Sequence, residues 1–191
     1  MMNKDREQPV DDQPAIELLS ASLSKDREAL LALNLEYMGW VSAELEARLG
    51  LRVQESLDAP MATHVAAMVD KLCQAAPPEG SFYLLRCEGV LAGMGGLRRL
   101  RPGVGELKRV YVRPGFRGRG LAGRLMERLL ADAADFALPT LLLDSAPFML
   151  QAQRLYERFG FVDCPAYSES ELPPALSRHW RFMRRDASPA R

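Results

Sequence analysis

The segment Val110-Tyr111-Val112-Arg113-Pro114-Gly115-Phe116-Arg117-Gly118-Arg119-Gly120-Leu121-Ala122-Gly123 constrains this chain more than any other. In it an apolar strand pattern passes through a glycine-rich, arginine-bearing loop into a helical pattern. A helix that starts at such a loop leaves its first N–H groups unpaired and presents the positive end of its dipole. Gly118 and Gly120 let a ligand approach the backbone, and Arg117 and Arg119 add charge beside it. The loop reads as an anion cradle with room for a pyrophosphate. The plainer alternative is a surface turn with two solvated arginines.

Gly118-Arg119-Gly120-Leu121-Ala122-Gly123 also satisfies GxGxxG, and Asp144 ends the next strand, where a dinucleotide fold would hold a ribose. In that fold the strand enters the first glycine almost without a gap, and the motif opens a domain of several more strand-helix units. Here residues 113–117 intervene, three antiparallel-type strands come first, and 47 residues remain after Asp144. The NAD(P)-type reading is therefore the weaker rival. A P-loop is excluded, because no Gly-Lys-Ser/Thr follows the loop.

Composition removes other classes. The chain has 191 residues, 48% hydrophobic and 26% charged, which suits one self-folding domain around one core. Lys and Arg number 25, as do Asp and Glu, so no global field draws the chain to nucleic acid or anionic lipid. Cys73, Cys87 and Cys164 sit in apolar surroundings without CxxC spacing, which argues for a reducing compartment and against a disulfide framework or a metal site. With His64 and His179 as the only histidines, a zincin helix is absent and a Ser-His-Asp triad has few bases to choose from. Residues 1–14 carry mixed charge and no apolar h-region, and no run approaches a membrane span, so a cytoplasmic location is expected. The expected organisation is a disordered leader over 1–14, one domain over 15–185 and a flexible tail over 186–191.

Periodicity places the elements. Residues 15–19 read as a short strand, and Ser24 is the expected N-cap of a long helix with Leu30, Leu33, Tyr37, Val41, Leu45 and Leu49 on its stripe, ending at Gly50. Val65, Met68, Val69 and Leu72 mark a second helix. Strands are expected over 81–87 and 90–97, joined at Glu88-Gly89, and over 105–112. A helix over 118–136, a buried-type strand over 140–143, a helix over 149–159 and strands over 161–164 and 180–183 complete the pattern. The expected fold class is mixed α/β: a largely antiparallel sheet opened by a parallel pair, with helices on both faces.

With these segments in order, the chain resembles the GCN5-related N-acetyltransferase (GNAT) superfamily. Arg117-Gly118-Arg119-Gly120-Leu121-Ala122 matches the family's acetyl-CoA loop, Gln/Arg-x-x-Gly-x-Gly/Ala, at each defined place. Glu106-Leu107-Lys108-Arg109-Val110-Tyr111-Val112-Arg113-Pro114 looks like the family's fourth strand, and Ala152-Gln153-Arg154-Leu155-Tyr156-Glu157-Arg158-Phe159-Gly160-Phe161 like its second cofactor-side motif. The resemblance spans about 15–184, and its specific part is 106–161. It departs from the pattern at Met149, where many relatives place an Asn that reaches the pantetheine arm.

The resemblance implies a single mixed-sheet acyl-CoA N-acyltransferase fold, acetyl-CoA as donor substrate, and direct attack by an amine in a ternary complex. It implies that backbone groups of Val110, Tyr111 and Val112 meet pantetheine, and that Arg117, Gly118, Arg119, Gly120, Leu121 and Ala122 hold the phosphates. It makes Tyr156 the acid for the leaving thiolate, although helical spacing alone calls Tyr156 core. Glu106 becomes the base for the acceptor amine, against the alternative of an exposed ion-paired edge with Lys108. Tyr37, Trp40 and Glu44 would help wall the acceptor cleft. His64 and His179 read as surface or structural residues, and Cys87 and Cys164 as apolar filler. The expected partners are a small-molecule or peptide amine acceptor, with homodimerisation open and neither nucleic acid nor membrane involved. The competing classes are an inactive acyl-CoA-binding module and an NAD(P)-type enzyme.

Overall fold

A computed structural model describes residues 15–57 and 59–187; the expected leader over 1–14 and the end of the expected tail, 188–191, lie outside the described residues. The elements are β1 (Ile16–Ser20), α1 (Leu23–Leu49), α2 (Met61–Gln74), β2 (Gly80–Cys87), β3 (Val90–Arg101), β4 (Val104–Val112), α3 (Leu121–Asp135), β5 (Thr140–Ser145), α4 (Leu150–Arg158), β6 (Val162–Asp163), α5 (Pro174–Ser177) and β7 (Arg181–Asp186). Single 3-10 turns lie at Val53–Ser56 and Pro114–Phe116. Among the described residues no helix is long and apolar enough to cross a membrane.

The strands form one seven-stranded sheet in the order β1-β2-β3-β4-β5-β7-β6. Each pair is antiparallel except β4 with β5, which is parallel. β2 is buried along nearly all its length because helices cover both faces of the sheet. Phe82 and Leu84 pack with Leu30 and Leu33 of α1 and with Val65 and Val69 of α2. Tyr83 and Leu85, of opposite parity, pack with Leu125 and Leu129 of α3 and Leu155 of α4. Asp132 of α3 secures the second layer by accepting hydrogen bonds from the Ser81 hydroxyl at 2.6 Å and the Tyr83 hydroxyl at 2.8 Å. The expected hairpin forms at Glu88-Gly89, where φ of 53° and 76° gives the primed turn that matches strand twist.

Two irregularities open the sheet at its centre. β4 and β5 pair only as far as Glu106 opposite Leu142, after which the two strands diverge. Three residues further on, the register with β3 slips between Met94–Tyr111 and Gly96–Lys108, so that Arg109 and Val110 together face Gly95. This bulge bends β4 and adds twist. It holds Arg109 at φ 57°, a left-handed conformation that an arginine adopts at a cost of about 1–3 kcal/mol. Gly95 also supplies room, since a Cβ there would lie 2.6 Å from Cδ2 of Leu125 in α3.

Two expectations are corrected. The N-cap of α1 is Ser22, not Ser24; the Ser22 carbonyl accepts from the N–H of Asp26 at 2.7 Å while its own N–H donates to the Asp26 carboxylate at 2.9 Å. The last strand extends to Asp186 rather than ending at Met183, and it inserts between β5 and β6. Pairing with β5 through Asp186, and with β6 at Met183 and Arg184, sustains its charged second half, Arg184-Arg185-Asp186, which an apolar pattern does not mark.

Candidate active site

A cavity of about 650 Å³ lies along the stretch of β4 that β5 leaves unpaired, with Val110, Tyr111 and Val112 in its wall. It continues to the loop and first turn of α3 through Arg117, Gly118, Gly120, Leu121 and Ala122. Gly118 and Gly120 have φ of 79° and 77°, and a Cβ on either meets nothing within 4 Å. The left-handed turn thus keeps side chains off the mouth of the helix. The N–H of Arg124 reaches the Gly120 carbonyl at 3.1 Å, so the N–H groups of Leu121, Ala122 and Gly123 precede the first closed helical turn. Open backbone N–H groups at a helix start can receive an anion, and here the opening rests on backbone rather than on side chains.

Arg117 serves the loop as well as the cavity. Its Nε donates to the Val112 carbonyl at 3.1 Å, and its guanidinium lies 5.3 Å from the Trp40 ring centroid. Among the backbone groups expected to meet pantetheine, the Val112 carbonyl is therefore already engaged. The far wall is aromatic: Trp40 meets Phe148 edge-on at 5.5 Å, and Tyr37 meets Tyr111 at 5.5 Å. Met149, at the position where many relatives carry Asn, adds a thioether to this wall. Tyr37 and Trp40 thus line the phosphate-cradle cavity rather than only a separate acceptor cleft, and Glu44 stands outside it, bonded to Arg48 at 2.5 Å.

Three expected site residues stand back from the cavity wall. Arg119 is exposed and lies 5.5 Å from the Phe116 ring. Tyr156 is 7% exposed, in the core with Leu155, its ring 6.1 Å from that of Phe161. Burial, reinforced by the nearby Tyr37 and Asp144, pushes its phenol well above the ordinary range, so it stays protonated at neutral pH. Glu106 is 0% exposed, and both its oxygens are engaged. Oε2 accepts from Arg98 Nε at 2.7 Å, while Oε1 accepts from the Tyr167 hydroxyl at 2.6 Å and lies 3.2 Å from Lys108 Nζ. The ion pair with Lys108, the alternative to a base, is present, but it is buried on an interior strand rather than lying on an exposed edge. The strand parity that pairs Glu106 with Lys108 was readable, whereas the covering Tyr167 comes from a loop without a motif.

A second cavity, of about 570 Å³, is lined by Lys108 and Arg109 of β4, Asp144 of β5, His64, Met68 and Lys71 of α2, and Glu171 among others. Arg109 and Val110 are consecutive yet line different cavities, so β4 is the common wall. Asp144 stands two residues beyond the last β4–β5 pair, and Lys108 Nζ lies 3.6 Å from its Oδ2. Burial raises its carboxyl pKa, with Lys108 opposing the rise. Sequence reasoning considered Asp144 only as a ribose ligand and passed over Arg109. The signals available were the end of a buried-type strand and a charged residue inside an apolar one. The cysteines fit filler rather than nucleophiles: burial pushes the Cys73 thiol up to about 11 and raises that of Cys164.

Comparison with known proteins places this geometry in context. The family model described as Acetyltransferase (GNAT) family matches residues 50–161. The uncharacterized N-acetyltransferase YedL of Escherichia coli strain K12 is 31% identical over 144 residues, which cover 67% of this chain and 86% of that protein. A GNAT-family acetyltransferase structure from Staphylococcus aureus Mu50 superposes with TM-score 0.67 at 17% identity, covering 91% of this chain and 100% of that one. RimL, a ribosomal L7/L12 alpha-N-protein acetyltransferase solved with coenzyme A, superposes with TM-score 0.62 at 16% identity, covering 94% of this chain and 97% of that one. At such identities the two structures establish a shared fold.

Proposed function

Because the chain belongs to the acetyltransferase (GNAT) family, we propose that it moves an acetyl group from acetyl-CoA to an amine by direct attack within a ternary complex. One observation carries this reading: a phosphate cradle and a charged cavity lie against neighbouring residues of one strand, at the point where that strand leaves its parallel partner. The donor supplies an acyl group activated as a thioester. The acceptor nitrogen bonds to the carbonyl carbon, the carbon–sulfur bond breaks, and one proton passes from nitrogen to the departing sulfur or to water. The products are an amide and free CoA.

The chain's own groups fit these tasks. Backbone N–H groups at the start of α3 bind phosphate, and the Tyr37, Trp40, Phe148 and Met149 wall packs against the methylene and methyl groups of the pantetheine arm. Tyr156, kept protonated by burial and in electrostatic reach of Tyr37 in the cavity wall and Asp144 in the second cavity, is assigned the hydrogen bond to the leaving sulfur, which the thioester meets only by passing the cavity wall. The engaged oxygens of Glu106 favour an indirect role through Lys108, and Asp144, whose Oδ2 has no hydrogen-bond partner, is the better-placed base. The acceptor is a small-molecule or peptide amine entering by the second cavity.

Thermal shift with CoA, acetyl-CoA and NAD(P), followed by CoA release across an amine panel and intact-protein mass spectrometry, tests the reading. Stabilisation by the CoA species, amine-dependent release and an unmodified protein are expected. Stabilisation by NAD(P) alone, or an acetyl-protein that turns over, overturns it.

A further inference from the structure

Within that reading the second cavity carries information about the acceptor. Its cations are almost all matched by carboxylates. Glu171 lies 2.5 Å from Lys71 and 2.9 Å from Arg98, Glu106 takes Arg98 and Lys108, and Glu79 lies 3.3 Å from Arg99. Arg109 is the exception. Its Nη1 meets Met38 Sδ at 3.3 Å, its Nη2 abuts Met68 Sδ, and its face lies 5.3 Å from the Tyr37 ring. Its Nε is buried with no hydrogen-bond partner. Thioether sulfurs are weak acceptors and the nearby oxygen is the Tyr37 hydroxyl, so among the described residues no carboxylate or carbonyl accepts from the Arg109 guanidinium.

The same cavity holds the complementary orphan. Asp144 Oδ2 is buried without a hydrogen-bond partner, and Lys108 Nζ stays 3.6 Å away. A buried donor and a buried acceptor that both lack a hydrogen bond are unusual in a folded protein and mark a place where another molecule completes the bonding. The bulge fixes the arrangement, since it holds Arg109 in its left-handed conformation beside the divergence of β4 and β5.

We propose that the acceptor is an amino-carboxylate, such as a free amino acid, whose carboxylate binds the Arg109 guanidinium and whose amino group meets Asp144. A planar carboxylate matches the guanidinium fork through two parallel bonds, and the ammonium supplies the donor that Asp144 lacks. A cavity of about 570 Å³ admits a molecule of that size. A simple monoamine would satisfy Asp144 and leave Arg109 unpaired. This inference rests on the acetyltransferase reading, and the two fail differently.

The test measures kcat/KM of the wild-type protein for the standard amino acids and for each matched C-terminal amide. The acid is expected to exceed its amide by about 10²-fold, the scale set by removing one partner of a buried charge pair. In Arg109→Gln that preference is expected to fall to within a few-fold, with acetyl-CoA affinity in calorimetry retained. Wild-type binding of N-acetyl amino acids against N-acetyl amides, measured with CoA present, gives the same comparison without any variant. Equal rates or equal binding for acid and amide overturn the amino-carboxylate assignment, and so does the absence of acetylation of any amino acid by protein that binds acetyl-CoA. Failure to bind acetyl-CoA overturns the parent reading instead.

Discussion

Glu106→Gln separates two accounts of the most buried carboxylate among the described residues. The substitution preserves shape and removes one negative charge from a site that is 0% exposed. Its cationic neighbours Arg98 and Lys108 are only 17% and 14% exposed, so water recovers little of what they lose. Breaking one side of a buried pair costs about 3–5 kcal/mol. Arg98 keeps Glu171 at 2.9 Å, Lys108 keeps Asp144 at 3.6 Å, and the new amide still accepts from Tyr167. These remnants place the loss at the low end, about 3 kcal/mol. For a chain of this length that corresponds to a fall in Tm of roughly 6–12 °C. Urea titration with an unchanged m-value reads the loss directly, and the acidic limb of kcat/KM against pH is expected to stay in place. A loss below about 0.5 kcal/mol, the scale of an ordinary surface change, together with a displaced acidic limb, would refute the network argument and make Glu106 the direct base.

Tyr156→Phe is expected to lower kcat by ~10² to 10⁴ at nearly constant acetyl-CoA affinity, because a raised phenol pKa keeps the hydroxyl a donor across the working pH range; wild-type kcat with a stability loss of ~1 kcal/mol or more would return Tyr156 to the core. Gly120→Asp meets open space, and a carboxylate at the start of α3 interacts favourably with the helix dipole, so the φ of 77° is the main structural cost. CoA affinity in calorimetry is nevertheless expected to collapse, while Gly120→Ala loses less; equal affinity for both would dismiss the cradle. Burial raises the Glu171 carboxyl, but hydrogen bonds from Lys71 and Arg98 outweigh it and bring the pKa down to about 2. Its contribution to stability is therefore present above the unfolded carboxylate pKa and disappears as pH falls through about 2. The stability gap between wild type and Glu171→Gln, measured by urea titration, is expected to narrow over that acid range, and a constant gap would contradict the pairing.

Local physics made much of this protein legible from its residues. The αL glycines, the stripe of Leu30, Leu33, Val41 and Leu45, the Glu88-Gly89 turn and the apolar run Phe82-Tyr83-Leu84-Leu85 of β2 each depend on near neighbours in the chain, so periodicity and turn chemistry reached them. That Arg117, Gly118, Gly120, Leu121 and Ala122 share one cavity was legible for the same reason: they are near neighbours in the chain, and the loop brings them together by itself. Tertiary structure decided the rest. The insertion of β7 between β5 and β6 depends on pairing energy across the sheet, which leaves no periodic mark on Arg184 or Asp186. Parity could pair Glu106 with Lys108, but only the packing of Tyr167, 61 residues away, and of Arg98 from β3 turned that pair into a buried network. Arg109 and Asp144 are 35 positions apart, and they share a cavity because a bulge and a strand divergence put them there. A polar atom without a hydrogen bond becomes informative only once burial makes it costly, and burial is a property of the folded chain.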